Sequence, residues 1–117
     1  MASLDDLTKS RIHHALKSLS CRSRPVAAYL FGSRAEGCAD QWSDYDLAVF
    51  IEGVEKWDIT QLARFCAEIQ KEAGDDIELH IFPAPQASAP EPASFAAYIT
   101  AHGIRLPLEE LFGQTPD

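Results

Sequence analysis

Positive charge is scarce in this chain. Ten Lys and Arg stand against 18 Asp and Glu, a formal net charge of -8 at pH 7. A surface that acidic repels phosphate backbones, which argues against non-specific binding to long nucleic acid. Long apolar runs are missing too. The longest, Val26 to Phe31, falls far short of the roughly 18 residues needed to span a bilayer, so no membrane association is expected. No basic segment followed by an apolar one opens the sequence, so no secretory signal is expected. Cysteine is limited to Cys21, Cys38 and Cys66, an odd count at scattered spacings. That fits neither a disulfide framework nor a zinc pattern, and it points to a reducing, cytoplasmic setting. What remains is ordinary globular composition, 46% hydrophobic and 24% charged over 117 residues, enough for one domain over residues 1–117.

Hydrophobic periodicity places the elements. Leu4, Leu7, Ile12, Ala15, Leu16 and Leu19 recur at helical spacing after a capping Ser3, and Pro25 marks the end of that helix. Val26 to Phe31 reads as a buried strand. From Asp44 to Ile51 the chain alternates, with Tyr45, Leu47, Val49 and Ile51 on one face and Asp44, Asp46, Ala48 and Phe50 on the other. Asp58 and Gln61 form a capping box ahead of an apolar stripe of Ile59, Leu62, Phe65, Cys66 and Ile69, and Gly74 ends the helix. Ile77, Leu79 and Ile81 alternate with Glu78 and His80 in a third strand. The proline-rich stretch Pro83 to Pro92 reads as an extended loop. A last helix is expected from about Glu91 to His102, stopped by Gly103, with Ile104 to Leu106 as a short edge strand. This order gives a small mixed α/β sheet with helices packed on one face.

The sharpest feature is GSRAEGCADQWSDYDLAVF, residues 32–50. Gly32 and Ser33 end one strand, ten residues follow, and Asp44 and Asp46 begin another. Glycine lets the backbone approach a ligand closely. Ser33 offers a hydroxyl and starts a candidate helical turn whose free N–H groups attract phosphate. Asp44 and Asp46, two apart on a strand, project to the same side. Two unit charges about 4 Å apart at an effective dielectric of 20 repel by about 4 kcal/mol, and a divalent cation between them turns that repulsion into affinity. A lone DxD is usually a solvated strand edge, and a lone GS is usually a turn. Together they supply complementary parts of one nucleotide site.

GSRAEG, the ten-residue spacing and SDYDLAVF closely resemble the minimal nucleotidyltransferase (MNT) domains of the DNA polymerase β-like superfamily. The resemblance implies an enzyme that binds a nucleoside triphosphate with two Mg²⁺ ions and transfers the nucleoside monophosphate to a hydroxyl. It assigns Gly32 and Ser33 to the triphosphate and Asp44 and Asp46 to the metals. Arg34 either touches the triphosphate or pairs with Glu36 or Asp40. Such families carry a third carboxylate on a later strand, and Glu78 stands at the matching place. Glu78 shares strand parity with Asp46, and its mid-strand position among apolar residues makes an unpartnered carboxylate expensive there. Asp76 has the same parity and remains the alternative. On the same strand, His80 reads as packing, and His13 and His14 read as surface. Trp42 and Trp57 read as core.

The MNT resemblance extends to the acceptor. Stand-alone MNT proteins of this size resemble the antitoxin half of toxin–antitoxin modules, whose partner is a helical HEPN-type ribonuclease. That implies transfer of AMP from ATP to a tyrosine of the partner. Two other readings stand beside it. One is a binding module that neutralises a partner without catalysis, and the other is the nucleotide-binding subunit of a two-chain transferase acting on a small molecule or RNA.

Overall fold

The computed structural model describes residues 6–32, 44–74 and 76–108. Helix α1 spans Asp6–Arg22 and turns Thr8, Ile12, Ala15, Leu16 and Leu19 inward. Leu7, expected on that stripe, is exposed, because Thr8 holds the position one turn before Ile12. Strand β1 (Pro25–Phe31) follows, then β2 (Tyr45–Ile51) and a 3₁₀ turn at Val54–Lys56 that the sequence patterning did not reveal. Helix α2 (Ile59–Ala73) begins at the expected capping box. The Asp58 carboxylate accepts from the Gln61 N–H at 2.8 Å, and the Gln61 side chain accepts from the Asp58 N–H at 2.9 Å. The first residue of that helix, Ile59, is exposed rather than part of the inward stripe, which Phe65, Ile69 and Ala73 supply.

Strand β3 runs Ile77–Pro83, longer than the alternation suggested. The stretch expected as an extended loop is a strand end followed by a helical turn, α3 (Pro85–Ser88). Pro83 is tolerated at the end of an edge strand, and Pro85 at the first position of a helical turn, where no N–H donor is needed. Helix α4 (Phe95–His102) starts four residues later than expected because Ser94 caps it, accepting from the Ala97 N–H at 3.1 Å. Strand β4 (Ile104–Arg105) completes the sheet.

The sheet is mixed, in the order β3-β2-β1-β4. β1 is antiparallel to β2 and β4, while β2 and β3 run parallel with α2 as the crossover. One face carries the larger core: Ala28, Leu30, Leu47, Val49, Ile51 and Ile77 against Ile12, Leu16 and Leu19 of α1 and Phe65 and Ile69 of α2. The half-buried Trp57 packs on Phe65 beside this core, as expected. Both long helices share that face, as the patterning implied. The shorter α4 departs from the expected arrangement of helices on one face: it lies on the opposite face, where Ala96 and Ile99 cover Ala27, Tyr29, Ala48 and Phe50. That second apolar patch exists because Phe50 and Tyr29, on the side of the sheet away from α1 and α2, also need burial. No helix among the described residues is long and apolar enough to cross a membrane.

Candidate active site

Register decides what gathers on the second face. Phe31 of β1 stands opposite Asp46 of β2, and Asp46 opposite Glu78 of β3. The next row is Tyr29, Ala48 and His80. Cα neighbours across paired strands with the same parity point the same way, so Asp46, Glu78 and His80 share one corner of the sheet. One ligand atom from each lies within 4.8 Å of the others. His80 Nε2 stands 3.9 Å from Asp46 Oδ1 and 3.9 Å from Glu78 Oε2.

This corner is electrostatically unfavourable for bare carboxylates. Asp46 is raised from its ordinary value of 3.8 to about 6, first by burial and then by the adjacent Glu78 carboxylate, with Asp44 adding repulsion. The Asp46 side chain is only 22% exposed, whereas that of Glu78 is 54% exposed. Glu78 is therefore not an apolar-flanked buried acid, as its place in the strand suggested. It lies second in β3, at the open end of the sheet, and stands there by register rather than by burial.

Gly32 builds the other wall. Its φ is +80°, and a Cβ there would collide with Asp46 Oδ2 and come within 3.2 Å of Asp46 Cγ. Glycine is thus required twice at this point, for the left-handed backbone and for the space that the Asp46 carboxylate fills. Asp44 is exposed just before β2, close enough for its charge to reach Asp46 but outside the tight group. Ser33 and Arg34, with Cys38 and Trp42, lie outside the described residues.

Asp76, the alternative third carboxylate, faces elsewhere. It pairs with Arg11 of α1, whose Nη2 also donates to Ala73 O at 2.8 Å and whose guanidinium stands over the Tyr45 ring. Arg11 thus ties α1 to the end of α2 and the start of β3. Nothing in the local sequence signals this pairing, which spans 65 positions. His80 exceeds its sequence reading. Its ring does pack, edge-on to Phe31 at 5.0 Å and to Phe95 at 5.7 Å, but its Nε2 is aimed at the carboxylates. Phe95, half exposed on α4, closes one side of this corner. Two clefts elsewhere run along α1 and α2, and neither includes a site carboxylate. His13 and His14 line one of them, at the surface as expected. Cys21 and Cys66 are free thiols, the latter pushed up by burial.

The profile of the family described as Polymerase beta, Nucleotidyltransferase matches residues 13–106. No curated protein is significantly similar to the chain. Among solved structures, a Sulfolobus solfataricus protein provisionally described as a nucleotidyltransferase superimposes with a TM-score of 0.49 at 16% identity, over 75% of this chain and 83% of that one. That likeness is too loose to bear on function. The family match covers most of the chain, including both strands of the GS and DxD halves and the strand of Glu78, and the chain belongs to the polymerase beta nucleotidyltransferase family.

Proposed function

We propose that the protein is a metal-dependent nucleotidyltransferase that moves AMP from ATP to a hydroxyl of a partner protein. The observation that carries this reading is the convergence of Asp46 and Glu78 beside Gly32 in a chain of this family. Asp46, Glu78 and the nearby Asp44 would hold divalent cations, two Mg²⁺ in the first instance. The donor set fits, because hard cations take carboxylate oxygens together with substrate phosphates. When bound, such ions neutralise the triphosphate and lower the pKa of the attacking hydroxyl.

The chain's own groups do the rest. Gly32 lets backbone approach the triphosphate, with Ser33 and Arg34 as its further partners. The acceptor oxygen attacks the α-phosphorus in line, the bond from that phosphorus to the bridging oxygen breaks, and pyrophosphate leaves. Glu78, exposed at the mouth of the site, takes the acceptor proton. The acceptor in this reading is a tyrosine of a helical HEPN-type ribonuclease, and the net charge of -8 would complement a basic, RNA-binding surface on such a partner. The test is transfer of labelled AMP from ATP and Mg²⁺ to such a partner, read by intact mass and tyrosine mapping. Asp44→Asn with Asp46→Asn should abolish transfer while the protein stays folded. Full activity in that double variant would refute the reading.

A further inference from the structure

An imidazole stands among the carboxylates of this corner. His80 Nε2 is buried from solvent and has no hydrogen-bond partner among the described residues. At 3.9 Å from each carboxylate oxygen it is beyond hydrogen-bonding distance of both, so it is not satisfied as a donor to either. The ring cannot easily swing away, because Phe31 and Phe95 flank it edge-on. Across the sheet its neighbour is Ala48, and its Nε2 lies toward Asp46 and Glu78. A nitrogen that stands 3.9 Å from each of two oxygens borders a small space with them rather than filling it. Ligand atoms around one cation at about 2.1 Å stand roughly 3.0 to 3.4 Å apart, so modest side-chain closure would bring all three onto one ion.

We propose that His80 Nε2 is a direct ligand, with Asp46 and Glu78, of a first-row transition cation, and that this nitrogen makes the site prefer Mn²⁺ or its heavier neighbours to Mg²⁺. Mg²⁺ is a hard ion that takes oxygen, whereas imidazole binds transition cations well. The inference rests on the metal-dependent reading above and sharpens it by naming the ion class. His80 is a positioning and selecting ligand here, and no proton transfer is assigned to it.

The probe is Mn²⁺ on the intact chain. Pulsed electron paramagnetic resonance of the Mn²⁺ complex should show ¹⁴N modulation from a bound imidazole. That modulation should vanish in His80→Phe, which keeps an aromatic ring against Phe31 and Phe95, and in His80→Gln. Titration followed by the free Mn²⁺ signal should show affinity falling about tenfold or more in both variants, while Mg²⁺ affinity, measured by competition, stays within about twofold. Saturable Mn²⁺ binding that is lost in Asp46→Asn but shows no ¹⁴N modulation and no dependence on His80 would overturn this proposal alone. Absence of saturable Mn²⁺ binding in the wild-type chain would overturn it together with the metal-dependent function.

Discussion

Replacing Asp46 by asparagine should make the metal-free protein more stable at neutral pH, although it removes a residue central to the proposed site. Asp46 is held at about 6 instead of 3.8 by burial, by Glu78 beside it on β3 and by Asp44 at the entry to β2. The folded state therefore binds this proton more tightly than the unfolded chain does. The sign follows directly: the penalty for ionising Asp46 is absent below about pH 3.8, grows as the pH rises toward 6, and is complete above it. At 1.36 kcal/mol per decade, the gap corresponds to at most about 3 kcal/mol. Water at the open end of the sheet screens part of that, which leaves about 2 kcal/mol. The asparagine carries no charge and its amide can donate to Glu78, so most of the penalty disappears. Thermal melts of metal-free protein at pH 7.5 should show the variant about 5–10 °C higher, given the entropy of unfolding of a domain this size. Between pH 4 and 6 the wild type should gain stability relative to the variant as the pH falls, and the difference should close. Adding Mn²⁺ at about 100 times its dissociation constant should raise the wild type by about 2.7 kcal/mol and leave the variant unmoved. A variant that melts lower than the wild type at pH 7.5, or a pH dependence shared by both, would refute the reasoning.

Other consequences separate the site from its supports. Glu78→Gln should abolish saturable Mn²⁺ binding in calorimetry, whereas Asp76→Asn should keep it and lose at most about 1 kcal/mol in urea melts, because the part-exposed Arg11 keeps Ala73 O and the Tyr45 ring as partners. Equal loss of metal binding in both would show that the third carboxylate is misassigned. Gly32→Ala places a side chain at φ +80° against the Asp46 carboxylate. It should cost about 1–2 kcal/mol through backbone strain and weaken Mn²⁺ binding well beyond that of a surface control, because the carboxylate must turn away to make room.

The fold was legible wherever one local rule governed an element. The Asp58–Gln61 capping box is a four-residue signal, and it forms as read. The alternation from Tyr45 to Ile51 assigns each residue to the correct face of the sheet, but it did not show that Ala48 and Phe50 on the second face are buried under α4 and that Asp46 alone of β2 joins the carboxylate corner. Legibility failed where geometry came from a distance. Leu7 and Ile59 are exposed because the inward stripes run through Thr8 and Ile12 and through Phe65 and Ile69, and which apolar residues join a stripe is settled by what the helix packs against. The helical turn after Pro83 looked like loop because proline rules out helix interiors but not first turns.

Strand parity alone could not separate Glu78 from Asp76, since the two residues share it. Two distant facts separate their surroundings: Arg11, 65 positions earlier, occupies Asp76, and the parallel register aligns Glu78 with Asp46. That register also explains His80. Parallel pairing of β2 with β3 sets residue 46 beside 78 and residue 48 beside 80. The imidazole thus stands opposite Ala48 with Nε2 toward Asp46 and Glu78, and Phe31 and Phe95 hold its edges.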